Sequence, residues 1–171
     1  SQGAQKINDF ILDNLESFIT KFQILHQVGS VNYEMHTKSF DQLFGQWPKE
    51  LKNRYKVFAF FEKNLPEAYA AADVVISRAG ASAIFEIAAF GKPSILIPLP
   101  EAANDHQKIN AYEYAKTGTA IVIEENNLLP NVFLGQVDKI LPDNELKQKM
   151  TNTARLFAKN NATLIIAQTL V

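Results

Sequence analysis

One stretch of this chain, residues 73–107, restricts what it can fold into more than any other. It holds two short apolar runs, residues 74–76 and 94–97. Between them lie a small-residue turn at Gly80 and a helical pattern of Ile84, Ile87 and Ala88. Gly91 is placed to close that helix, and Pro93 leads into the second run. A strand–turn–helix–strand order is the crossover of a parallel sheet. In open α/β sheets, ligands sit beyond the carboxyl ends of the strands. Arg78, Glu86 and the run Asn104, Asp105, His106, Gln107 fall at or near those ends. A tight turn that opens into a helix is also an anion site, because unpaired N–H groups and the helix dipole point the same way. The layout therefore points to a ligand that carries phosphate.

The rest of the chain extends the pattern. Residues 5–22 carry apolar positions at Ile7, Phe10, Ile11, Leu15, Phe18, Ile19 and Phe22, the spacing of one helix with a buried face. Ile24, Leu25 and Val28 predict a short strand that ends at Gly29. Residues 30–54 predict one helix and loops, and residues 55–61 a strand by aromatic and β-branched content. Pro66 suits the start of a short helix. Residues 105–116 predict a helix closed by Gly118, residues 120–123 a strand, and residues 131–141, 143–159 and 162–170 three closing helices. Strands alternating with helices make the class α/β. A fold of this kind normally begins with a strand, whereas this chain opens in a loop. The expectation is that a first strand is missing and that the residues belong to a longer protein.

Composition narrows the function. The 171 residues suit one domain, and a net charge of −1 gives no broad electrostatic footprint for nucleic acid. There are no cysteines, which removes disulfides, thiolate catalysis and cysteine-ligated metal. No apolar run approaches the roughly 20 residues that span a membrane, and the opening residues have no signal-peptide pattern.

Each polar motif has a bland reading beside the functional one. Ser1, Gln2, Gly3 and Ala4 precede a helix, either as an anion-binding loop or as an ordinary cap. Gly80 in the turn from Arg78 to Ser82 permits a positive φ or close backbone approach to a ligand, and Ser82 can cap the helix or meet a ligand oxygen. The alternative there is a plain turn with a structural arginine. Glu86 stands four residues after Ser82, on the same helix face. It can take ribose hydroxyls or simply favour the helix dipole. The amide, carboxylate and imidazole of residues 104–107 suit sugar hydroxyls, or Asn104 or Asp105 caps the next helix. His106 has no nucleophile or metal-spaced partner near it in sequence, so neither base catalysis nor zinc is expected there. His26 and His36 read as structural or exposed, and Phe10, Phe18, Phe22 and Phe44 as core.

Taken together, Ser1-Gln2-Gly3-Ala4, residues 73–91 and residues 98–111 resemble the C-terminal, donor-binding half of the MurG family, the N-acetylglucosaminyltransferases of lipid II synthesis. The resemblance spans nearly the whole chain. It implies the C-terminal half of a GT-B glycosyltransferase, a Rossmann-like parallel sheet with helices on both faces, binding UDP-N-acetylglucosamine without a cofactor or metal. It implies that Ser1 and the turn of Gly80, Ala81 and Ser82 meet the diphosphate, with Gly3 and Arg78 also among the substrate-binding residues. Phe61, at its strand end, would lie by the uracil, Glu86 on the ribose, and His106 and Gln107 on the sugar hydroxyls. The lipid I acceptor, the catalytic base and the membrane contact would belong to an N-terminal domain that this chain lacks. The full-length protein would work at the cytoplasmic face of the bacterial inner membrane, and the chain alone would be soluble and inactive. Two other functions fit the same architecture: a UDP-N-acetylglucosamine 2-epimerase fragment, and a non-catalytic UDP-sugar-binding subunit that needs a partner chain.

Overall fold

The computed structural model describes residues 4–100 and 105–169, with side chains described as far as Lys159. The chain divides into two compact units between Ala68 and Tyr69.

The first unit contains α1 (Gln5–Asp13), α2 (Leu15–Ile19), β1 (Ile24–Gln27), α3 (Ser30–Phe44), α4 (Lys49–Lys52) and β2 (Tyr55–Phe58). A single 3-10 turn, Glu62–Asn64, follows, and α5 (Leu65–Ala71) carries the boundary. Strands β1 and β2 pair in parallel, Ile24 opposite Tyr55 and Gln27 opposite Phe58. Ile7, Ile11, Leu15, Phe18 and Ile19 are buried, so the apolar stripe of residues 5–22 faces a core as the spacing requires. The single helix expected there is broken at Asn14. Its side-chain N–H2 donates to the Phe10 carbonyl (2.8 Å), and its own carbonyl accepts the Ser17 hydroxyl (2.9 Å). Such local side-chain bonds compete with the helical ladder. The strand expected over residues 55–61 stops at Phe58. Phe61 instead caps the 3-10 turn, and its N–H finds a side chain, Gln27 Oε1, at 3.0 Å. Of the four phenylalanines expected in the core, Phe18 is fully buried, while Phe10, Phe22 and Phe44 are half-buried.

The second unit contains β3 (Val75–Ser77), α6 (Ala81–Phe90), β4 (Ser94–Leu96), α7 (His106–Lys116), β5 (Ala120–Val122), the 3-10 turn Glu125–Asn127, α8 (Pro130–Ile140) and α9 (Asn144–Thr169). The three strands form one parallel sheet in the order β3-β4-β5. Helices α6 and α7 are its two crossovers, as the pattern of residues 73–107 requires. Ile84, Ile87 and Ala88 of α6 pack with Leu96, Ala111, Tyr114, Ala120 and Ala154 in one buried cluster. Helix α6 ends at Gly91, whose φ of +63° is the left-handed cap that glycine adopts most cheaply. The Gly91 N–H donates to Ala88 O and the Lys92 N–H to Ile87 O. The last two of the three expected closing helices are one. Helix α9 runs unbroken because residues 159–162 hold neither proline nor glycine, and the two asparagines there weaken a helix without ending it.

Two parallel sheets with helical crossovers match the expected α/β class. Among the described residues no helix is long and apolar enough to cross a membrane.

Candidate functional site

The carboxyl ends of β3, β4 and β5 carry most of the polar groups singled out in the sequence. Gly80 is the N-cap of α6 with φ −66° and ψ 144°, so the turn does not use the left-handed freedom of glycine. A Cβ at Gly80 would meet nothing within 4 Å. Its small size leaves open space in front of the helix, which is the close-approach reading of this glycine. Ala81 and Ser82, the first two residues of α6, are exposed, and the N-cap has no side-chain hydrogen bond. Ser82 therefore lies past the capping position. The first N–H groups of α6 have no partner within the helix and face outward with the positive end of its dipole.

Arg78 follows β3 and binds the rim together. One guanidinium nitrogen donates to Ile97 O (3.2 Å) and Pro98 O (3.4 Å), and the other is ion-paired with Glu125, just beyond β5. Its Nε is buried without a hydrogen-bond partner. The side chains of this pair are 14% and 10% exposed, so the charges are largely shielded from water. Arg78 thus ties the ends of all three strands to one another, and the structural half of its two readings is present in full.

Helix α7 supplies the second tie. Gln107 Oε1 accepts the Leu99 N–H at 3.1 Å, and Asn110 Nδ2 donates to Ala79 O at 3.3 Å. Residues three apart share a helix face, so this face of α7 holds both the segment after β4 and the turn before α6. With its oxygen on the Leu99 N–H, the Gln107 amide keeps its two N–H donors to present. His106 is the first residue of α7 and is exposed. Asp105 is its N-cap, in a left-handed conformation (φ +55°), without a side-chain cap bond.

Glu86 is exposed in the second turn of α6, one helical step from Ser82. Its Oε2 accepts the Tyr69 hydroxyl at 3.4 Å, and the Tyr69 ring stacks on Phe90 at 4.5 Å. Burial first, then the Glu86 carboxylate, raises the Tyr69 hydroxyl pKa, so the tyrosine stays a donor to this carboxylate. On the outer face of α7, Tyr112 and Lys108 both bind Glu124 (2.7 and 3.0 Å). The Tyr112 hydroxyl, then Lys108, lowers the Glu124 carboxyl pKa.

The structure thus gathers Arg78, Gly80, Ala81, Ser82, Glu86, His106 and Gln107 in the second unit. Phe61 belongs to the first unit, half-buried with its ring on Phe58 at 4.6 Å. Ser1, Gly3 and Asn104 lie outside the described residues. Sequence reasoning missed Tyr69, Asn110 and Glu125. The signal for Asn110 was its helical interval from Gln107; Tyr69 and Glu125 gave none, because their partners are distant in sequence. Among the described residues no group of three or more acidic or histidine side chains could hold a metal ion.

A parallel α/β unit with an exposed helix N-terminus and a polar rim at the strand ends is the architecture of nucleotide-binding domains. Comparison with known proteins gives the family. Residues 1–168 match the model of the glycosyltransferase family 28 C-terminal domain, and the chain belongs to that family. It is 30% identical over 173 aligned positions to a Treponema denticola protein named UDP-N-acetylglucosamine–N-acetylmuramyl-(pentapeptide) pyrophosphoryl-undecaprenol N-acetylglucosamine transferase. That alignment covers 98% of this chain and 44% of the relative. A Natranaerobius thermophilus protein of the same name is 37% identical over 148 positions, 85% of this chain and 39% of the relative. The crystal structure of Acinetobacter baumannii MurG superposes with a TM-score of 0.69 at 28% identity, over 92% of this chain and 43% of that one. The chain therefore spans about two-fifths of the relatives it matches, and the expected kinship with the MurG family is borne out.

Proposed function

We propose that this chain is the donor half of an inverting N-acetylglucosaminyltransferase and that its ligand is UDP-N-acetylglucosamine. The observation that carries the reading is where the family match falls. It runs through the rim at which an exposed helix N-terminus, a carboxylate and an amide are presented at one sheet edge. On this reading the N–H groups at Ala81 and Ser82 take the diphosphate, Gly80 lets it approach, and Ser1 and Gly3 complete the cradle. Glu86, aimed by Tyr69, takes the ribose hydroxyls. Phe61 lies by the uracil. His106 and the free N–H donors of Gln107 read the sugar hydroxyls. Arg78, held by Glu125, keeps the strand ends in place around the diphosphate.

The chemistry that follows is a displacement at the anomeric carbon. An acceptor hydroxyl on lipid I attacks, the bond to the diphosphate oxygen breaks, and UDP departs with inversion. Negative charge grows on the leaving oxygen, where preorganised N–H dipoles lower the barrier. The acceptor, the base that removes its proton and the contact with the cytoplasmic membrane face belong to an N-terminal domain outside this chain. Calorimetric titration with UDP-N-acetylglucosamine, UDP-glucose and UDP tests the reading. Binding of UDP, with UDP-N-acetylglucosamine tighter than UDP-glucose, is the expected result; no heat from any of the three would overturn it. Sugar transfer to lipid I by this chain alone would contradict its assignment as one half of the enzyme.

A further inference from the structure

The first unit buries four polar side chains from four different elements in one line. Asn8 (α1), His26 (β1), Tyr55 (β2) and His36 (α3) are 1%, 8%, 3% and 4% exposed. Asn8 Nδ2 lies 3.1 Å from Val28 O, and Asn8 Oδ1 lies 3.1 Å from His26 Nε2. His26 Nδ1 lies 2.8 Å from the Tyr55 hydroxyl, which lies 2.6 Å from His36 Nε2. We propose that these four groups are a directed hydrogen-bond chain with a single proton order, a neutral latch that positions α1 against the carboxyl end of β1.

The order follows from what each atom can do. The Val28 carbonyl only accepts, so the Asn8 amide nitrogen must face it. That leaves the Asn8 oxygen toward His26, and His26 Nε2 must carry the proton it donates. A neutral His26 then has a bare Nδ1, so the Tyr55 hydroxyl donates to it. The Tyr55 oxygen is left as acceptor, and His36 Nε2 must bear hydrogen. Both imidazoles are fixed as Nε2–H. A second proton on His26 would sit at Nδ1 and face the Tyr55 hydrogen. Tyr55 could turn away only toward His36 Nε2, which already carries one. Charging His26 therefore requires both a turn of the Tyr55 hydroxyl and a shift of the His36 proton to Nδ1.

Burial, then the neighbouring His36, depresses the His26 pKa to about 3; burial depresses that of His36, against the pull of Asp9 on α1. Burial raises the Tyr55 hydroxyl pKa. Phe40 closes the site, its ring 5.1 Å from that of Tyr55.

Asn8 ties the line to backbone on two sides. Val28 O also accepts from Asn32 Nδ2 (3.2 Å), and Val28 is followed by Gly29 at φ +85°. The Asn8 N–H donates to Ala4 O (2.7 Å), at the start of α1. The latch thereby fixes the start of α1 against the end of β1. Asn8, His26, Tyr55 and His36 are positioning residues for α1.

Nitrogen-15 spectra of the histidine rings of the labelled wild-type chain test this without any variant. We expect both buried rings to be neutral Nε2–H tautomers at pH 8, and His26 to remain so at pH 5. A Nδ1–H tautomer at His26, or titration of either buried ring near pH 6.5, would overturn the latch. In Tyr55→Phe the resonances of both His26 and His36 should move, because the hydroxyl that bonds both rings is gone; unchanged imidazole spectra in a folded variant would also overturn it.

Discussion

Glycine marks two positions in the second unit for opposite reasons, and substitution separates them. At Gly91 the φ of +63° is costly for any residue with a Cβ, and that Cβ would sit 2.6 Å from Arg155 Nε. Gly91→Ala is expected to lower stability by about 1–2 kcal/mol, the cost of a left-handed L-residue, read as a fall in midpoint in chemical denaturation. At Gly80 the backbone is unstrained and the space is open. Gly80→Ala is expected to leave the denaturation midpoint in place and weaken UDP binding, because the methyl group enters the ligand's approach. Glu86 stands on an exposed face, so Glu86→Gln should leave folding intact while weakening UDP by roughly 1.5–3 kcal/mol, the scale of a hydrogen bond to a charged group. A large loss of stability with unchanged affinity would make Glu86 structural. Gln107 needs a finer probe, since its oxygen holds the Leu99 N–H. Gln107→Glu keeps an oxygen there and removes the amide donors. Calorimetry should show UDP-N-acetylglucosamine weakened by about 0.5–1.5 kcal/mol and UDP unchanged; equal losses would remove the sugar-reading role.

At the scale of elements, the sequence was most informative where one signal dominated. The run from β3 through α6 to β4 announced itself by apolar runs, a glycine turn and a glycine stop, and every piece of it is present. The misreadings have local physical causes. Asn14 breaks the first helix through bonds to Phe10 and Ser17 that no apolar period reports. Residues 55–61 looked uniformly strand-like, but Phe61 takes its backbone partner from the Gln27 side chain instead of a neighbouring strand. The 26-residue α9 was split in two at a polar stretch that a helix tolerates. The site followed the same rule. Residues clustered in sequence, from Arg78 to Glu86 and at His106 and Gln107, were legible. Their supports, Tyr69 and Glu125, come from elements that only folding brings near.

At the scale of the whole molecule, the buried histidines make acid sensitivity an intrinsic property. Their folded-state pKa values lie below the unfolded one, so unfolding takes up protons as pH falls. This contribution is complete above about pH 6.5 and is lost below it, at about 1.4 kcal/mol per pH unit for each imidazole that stays neutral. Urea denaturation from pH 7.5 to pH 5 should show stability falling on the acid side, and a flat profile would mean that the histidines are not held neutral. The central claim is that the ligand lies beyond the carboxyl ends of β3 and β4, at the start of α6. Backbone amide spectra of the labelled chain, recorded as UDP-N-acetylglucosamine is added, test it most directly. The account predicts that the resonances of Gly80, Ala81, Ser82, Glu86 and Gln107 shift with saturation, while those of Ser94 and Ala120, at the opposite strand ends, stay in place. Saturable shifts centred on Ser94 and Ala120, or none at the α6 turn, would contradict it.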